Sequence, residues 1–328
     1  MNRIHWVDNA KAIAIFLVIL GHFGGLNPLF RSFIYSFHIP IFLFMTGFLL
    51  SSSINTISVW KFLKKNIFPY IGVYLFFSIM SMVLWYFLKH FGDNIFSTLW
   101  ETTVGMLYGV HGAERLLMHG NGPFWYFPYL IVTLIALYVL TRLPVWLGWV
   151  IALIYCAFSL SYSGVRLPWC LDIAGIGALF AFMGHHFRIH YDGLQCVFQS
   201  RLSLILLPAM LVLLVVLVGI NGEMNINRAA FGGNITLCVV NAVIGCLCLL
   251  IISYNVPATK LAQNISMHTM TIFCTHIYLV KVFRVFPYPD NGAMKFILIV
   301  AFAVMVLITC LFFAIKFEPL LKRYILRK

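Results

Sequence analysis

The sequence predicts an all-α fold: a polytopic membrane protein of about ten transmembrane helices with both termini in the cytoplasm. Three observations carry this expectation. Of the 328 residues, 62% are hydrophobic and only 9% are charged, whereas about a quarter of a soluble globular domain is charged. The apolar residues fall in successive runs of roughly 18 or more, each long enough to cross a bilayer as a helix. No polar stretch between the runs is long enough to fold separately, so residues 1–328 are expected to form a single integral membrane domain.

The expected spans are residues 8–26, 33–52, 67–90, 124–141, 145–163, 169–187, 203–220, 236–254, 264–285 and 294–316. The apolar run of the first follows Arg3 and Lys11 and has the look of a secretory signal. No small-x-small cleavage site follows AIAIFLVILG, however, and the apolar runs continue, so it is read as a retained helix. The second holds Pro40 near its start, and the third begins within WKFLKKNIFPY. Residues 91–123 are partly amphipathic and predict one or two short helices lying against the membrane or over a cavity mouth. The fourth span opens in the aromatic GNGPFWYFPY, and the sixth in PWCLDIAGIGALF. NGEMNINRAAFGGN (221–234) is Asn/Gly-rich and predicts a loop before the eighth. The ninth contains TIFCTHIYLVKVF, and the tenth precedes LLKRYILRK. No internal repeat is evident, which disfavours transporter folds built from inverted repeats.

A net charge of +13 would suit nucleic acid until the charges are placed. On ten spans most of the 22 lysines and arginines gather on the side of the termini, with WKFLKK and LLKRYILRK the densest clusters. The positive-inside rule accounts for this as topology and puts the termini in the cytoplasm. Arg31, Arg166, Arg284 and Lys295 belong to the minority on the other side. No nucleic-acid partner is therefore expected. The eight cysteines lie mainly in apolar runs without a C-x-x-C pair. Neither a disulfide framework nor a zinc site is indicated, and no metal is expected.

Polar groups at membrane depth are costly and are functional candidates by default. His22, past the middle of the first span in GHFGG, is either a packing histidine or a general base. Lys11 precedes it by eleven positions, about 16 Å of helix rise. Alone it would be a snorkelling anchor. A cation at the cytoplasmic rim and a base deep inside also suit a phosphorylated head on a long arm with a reactive tip, the shape of coenzyme A. Lys61, Lys64 and Lys65 share one side of a helical turn and would attract a polyphosphate, or serve only as positive-inside residues. His38, before Pro40, either donates to a carbonyl that the proline leaves unpaired or lines the cavity of His22. Trp125 is an interfacial aromatic or a platform for a sugar ring. Asp172 and His276 are further ionisable groups inside expected spans.

Together these motifs resemble the acyltransferase-3 family of integral membrane acyltransferases, over essentially the whole chain. The likeness extends to its branch of fucose-4-O-acetylase-like and surface-polysaccharide O-acetyltransferases. WVDNAKAIAIFLVILGH resembles the family's basic-residue–x10–histidine signature, with Lys11 and His22 in the two roles. FHIPIFLFMTGF resembles its second-helix F-H-x-P block, and GPFWYFPY its G-x-x-W block. KFLKKNIFPY takes the place of a basic R-x-x-R segment, with Lys61 and Lys64 at the arginine positions. Lysine there keeps the charge but loses the bidentate fork. The resemblance implies a ten-helix core that passes an acyl group, usually acetyl, from cytoplasmic acetyl-CoA to a hydroxyl of a cell-envelope glycan or lipid-linked sugar. His22 is then the catalytic residue, and Lys11, Lys61, Lys64 and Lys65 hold the donor's phosphates. His38, Trp125, Asp172 and His276 are the acceptor-binding candidates. The implied setting is the bacterial inner membrane, with membrane lipid as neighbour, and a homodimer is compatible with it. The rival reading is a polytopic transporter or exporter of a lipid-linked glycan or small solute. Such a carrier usually needs intramembrane carboxylates, of which Asp172 is almost the only one.

Overall fold

A computed structural model describes residues 3–50, 52–89, 95–110 and 122–324. The chain is almost entirely helical. Its helices are α1 His5–Gly21, α2 Pro28–Leu49, α3 Val59–Phe62, α4 Phe68–Lys89, α5 Ile95–Tyr108, α6 Tyr126–Leu140 and α7 Val145–Ser161. There follow α8 Ala174–Ile189, α9 Tyr191–Phe198, α10 Arg201–Asn221, α11 Ile235–Asn255, α12 Lys260–Phe283 and α13 Gly292–Tyr324. Leu63–Ile67 form a π turn that joins α3 to α4.

Every expected span is met by a helix, with shifted ends. Local chemistry explains the shifts. Asn27 Oδ1 accepts from the Leu29 N–H at 2.9 Å, and Pro28 tolerates the first helical position because its missing N–H would be unpaired there. α2 therefore begins five residues earlier than expected, and Pro40 lies in its interior. Ser200, Asn234 and Thr259 cap α10, α11 and α12 in the same way. One expectation needs correction. The loop at 221–234 contains a short antiparallel ladder, β1 Met224–Asn225 with β2 Ala230–Phe231. The segment 91–123 holds α5, as expected, but its residues 91–94 and 111–121 lie outside the described residues, as does the end of the basic LLKRYILRK.

Seven helical stretches among the described residues are long and apolar enough to cross a membrane: Pro28–Leu49, Val59–Phe87, Gly122–Leu140, Pro168–Ile189, Arg201–Asn221, Ile235–Asn255 and Gly292–Pro319. The fold is thus that of an all-α, multi-pass membrane protein. α1 and α7 have 17 residues each, about 25 Å against a hydrocarbon core of roughly 30 Å. α12 is long but polar, with Gln263, Asn264, Ser266, His268 and Thr269 in its first half. The helices that fall short of the spanning criteria include the two that carry the site described below.

The residues group into two compact units. One comprises Met1–Met45, Phe187–Ile226 and Ala230–Pro319; the other comprises Thr46–His186, Asn227–Ala229 and Leu320–Lys328. In the first, α1 packs along α12 and α11, burying Ala10, Ala14, Ile15, Val18 and Ile19. Small residues permit this close approach where lipid offers no hydrophobic drive between helices. Asn9 donates to the Ser253 and Val256 carbonyls at 3.1 and 2.8 Å, satisfying carbonyls that the end of α11 leaves open. Arg3 bonds Asp8 at 2.6 Å and the Gln263 carbonyl at 3.0 Å, fastening the start of α1 to α12. α10 exposes Leu202, Ile205, Val212 and Ile220, an apolar surface suited to lipid.

The second unit is built around buried aromatics, among them Tyr74, Phe77, Phe124, Phe127 and Tyr129. Tyr74 donates to the Met106 carbonyl at 2.5 Å. Gly47, near the end of α2, lies against α8 so closely that a Cβ there would meet the Ala181 carbonyl oxygen at 1.8 Å. Neither backbone can yield without separating the helices. Gly47→Ala is expected to destabilise the protein by about 1–3 kcal/mol or more, seen as a lowered unfolding temperature in detergent.

Candidate active site

α1 is unbroken from His5 to Gly21, and His22 still has helical dihedrals, φ −82° and ψ −10°. Its N–H bonds the Val18 and Ile19 carbonyls. Three residues on, Gly25 has φ +86°, a left-handed conformation that glycine adopts without strain, and the chain turns toward α2. A helix end leaves its last carbonyls without intrahelical partners. Here side chains from two other helices supply them: Tyr35 donates to the Gly21 carbonyl at 3.1 Å, and Arg284 Nη2 donates to the His22 carbonyl. The backbone bearing the His22 ring is therefore held from α2 and from the end of α12.

The His22 ring faces His276 of α12, with centroids 5.1 Å apart and planes at 46°. His276 is wholly buried, and its Nδ1 lies 2.7 Å from the Phe273 carbonyl oxygen. A carbonyl can only accept, so the proton sits on Nδ1 and Nε2 keeps its lone pair. That Nε2 is buried without a hydrogen-bond partner. His38 has the same arrangement, with Nδ1 2.9 Å from the Ile34 carbonyl oxygen and its ring 4.9 Å from Tyr35. It bonds its own helix one turn back, not the Ser36 carbonyl that Pro40 leaves without its N–H. His276, His38, Arg284 and Arg31 are the charged or titratable neighbours that His22 feels.

Lys11 lies on the same helix. At 100° and 1.5 Å per residue, eleven residues return to within about 20° of the same face, about 16 Å along the axis. Lys11 is half-buried, one turn from Asp8 and in the field of Asp8 and Arg3. The first unit thus assembles four of the sequence candidates: Lys11 near one end of α1 and His22, His276 and His38 about the other.

The remaining candidates lie in the second unit. Lys61, Lys64 and Lys65 are exposed. Lys61 N–H is accepted by Ser58, which starts α3, and Lys64 and Lys65 sit in the π turn, a kind of bulge common at functional sites. Trp125 is buried with its ring 5.4 Å from that of Tyr129. Asp172 is buried and accepts from Arg166 Nε; Arg166 also donates to the Asn227 carbonyl. Among the described residues no group of His, Cys, Asp or Glu is disposed to hold a metal ion. Two contributors escaped sequence reasoning. Arg284 counted only among the minority of basic residues on the far side, and Tyr35 was not singled out; neither carries a signal that it supports the end of a distant helix.

A histidine at the end of a helix, beside a second imidazole with a bare Nε2, is equipped to move a proton from a buried hydroxyl. Neither a curated protein nor a solved structure matches the chain. A family model described as an acyltransferase domain does match, over residues 4–315. By that match across nearly its whole length, the chain belongs to the acyltransferase-3 family and is a multi-pass membrane acyltransferase.

Proposed function

We propose that this acyltransferase is a bacterial inner-membrane O-acetyltransferase of the fucose-4-O-acetylase-like branch, with about ten spans and both termini in the cytoplasm. It would move acetyl from acetyl-CoA to a hydroxyl of a cell-surface glycan or lipid-linked sugar. The observation that supports this best is the pairing of His22 with His276 at the end of α1, with Lys11 on the same helix face. Lys11, Lys61, Lys64 and Lys65 hold the phosphates of acetyl-CoA as point cations. The His22 imidazole takes the proton from the acceptor hydroxyl as its oxygen attacks the thioester carbonyl. A C–O bond forms, the C–S bond breaks, and the imidazolium returns the proton to the departing CoA thiolate. His276 and His38, each with Nδ1 bound to backbone, present Nε2 as acceptors for sugar hydroxyls. Trp125 and Asp172 remain acceptor-binding candidates of the second unit.

The test is transfer of label from [14C]acetyl-CoA to a native envelope glycolipid extract by the full chain in proteoliposomes. Label in the glycolipid is the expected result; movement of solute without thioester consumption would mark a carrier instead. Exchanging Lys61, Lys64 and Lys65 together for glutamine should raise KM for acetyl-CoA by about tenfold with kcat nearly unchanged, the pattern of lost uniform binding. An unaltered KM would remove these lysines from the donor site.

A further inference from the structure

We infer that the His22 end of the first unit is an oxyanion site, and that the acceptor carries a phosphate or carboxylate close to the hydroxyl that is acylated. This rests on the acetyl-transfer reading and adds the charge of its acceptor. Three cations are tethered to the short stretch from Gly21 to Gly25. Arg284 spends one N–H on the His22 carbonyl, and a guanidinium has five donors in all. Arg31 lies over Tyr35, 5.4 Å from its ring centroid, and Tyr35 is bonded to the Gly21 carbonyl. Lys295 lies across the turn itself: its Cε would be 2.5 Å from a Cβ at Gly25, and its ammonium is 5.7 Å from the Tyr288 ring centroid.

None of the three makes an ion pair among the described residues. Asp290, in the turn between α12 and α13, is exposed and bonds none of them. Two other arginines are held differently: Arg3 is paired with Asp8, and Arg166 with Asp172. Like charges gathered without a counterion repel, and an anchoring role does not require that they converge on the residues beside a catalytic imidazole. The donor's phosphates do not explain them either. The lysine of α1 assigned to the donor is about 16 Å away along the helix. Arginine forks and a neighbouring ammonium are the groups that recognise an oxyanion, and a bound anion would fix the acceptor beside His22 before transfer.

The experiment uses the full chain in phosphatidylcholine nanodiscs, with glucose 1-phosphate, glucuronic acid and glucose as probes, by equilibrium binding. One or both charged sugars should bind at least tenfold more tightly than glucose, and the preference should shrink as salt is raised. Which of them binds tells phosphate from carboxylate. Arg31→Gln with Lys295→Gln should abolish the preference, and Arg31→Lys should retain most of it. Equal binding of all three sugars by the unaltered protein would overturn the inference without recourse to a variant. So would charged-sugar binding that disappears when phosphatidylglycerol is added to the nanodiscs, which would make these cations lipid anchors. His22→Ala should still bind the charged sugar. Binding with no acetyl transfer by the unaltered protein would sink the proposed reaction and leave the oxyanion site; transfer without charge preference would sink only the site.

Discussion

Replacing His22 by alanine is expected to lower acetyl transfer by about 10²–10⁴-fold, the range that a positioned acid–base group contributes, while the protein stays folded. The His22 backbone N–H bonds Val18 and Ile19, and its carbonyl is held by Arg284; none of these bonds involves the imidazole. Alanine therefore preserves the end of α1 and removes the ring alone. His22→Gln should be as inactive, because an amide can hydrogen-bond a hydroxyl but cannot take its proton. Mass spectrometry of surface glycan from cells making equal amounts of each protein provides the readout. Acetylation at the unaltered level in His22→Ala would remove this histidine from the chemistry.

Asp172→Ala is expected to destabilise the protein by about 3–5 kcal/mol, because it leaves the Arg166 charge partly buried without its counterion. The pair has side-chain exposures of 16% and 1%, and Arg166 is committed further to the Asn227 carbonyl. Removing both charges, as Arg166→Met with Asp172→Ala, should restore most of the loss, since replacing a buried pair by apolar groups is often neutral. Thermal unfolding in detergent of the two variants measures this. Normal stability of Asp172→Ala together with a raised KM for the acceptor would instead make this carboxylate part of the sugar site.

Much of the architecture was legible because membrane insertion imposes a local requirement. A run of apolar residues must satisfy its own backbone as a helix in lipid, so the runs around α2, α10, α11 and α13 marked themselves. Boundaries were less legible, since they depend on single caps such as Asn27 and Ser200. α12 was foreseen as a span although its first half is polar; that helix packs on α1, and one of its polar residues, His268, is paired with Glu318 of α13.

At the site, His22 and Lys11 could be singled out because both lie on one helix, where spacing converts directly into distance and face. By composition and pattern, the sequence alone determined a helical membrane protein, and the resemblance of its motifs to the acyltransferase-3 family made the histidine of α1 the residue to watch. Only the tertiary structure decided what surrounds that histidine. Arg284 reaches the His22 carbonyl across 262 residues of chain, and His276 and Lys295 arrive from helices equally remote in sequence. Hydropathy and helical periodicity act over a few turns, whereas the meeting of these groups depends on how α1, α2, α12 and α13 pack. That packing turned a lone imidazole into a histidine pair beside Arg284, Arg31 and Lys295, which make no ion pair among the described residues.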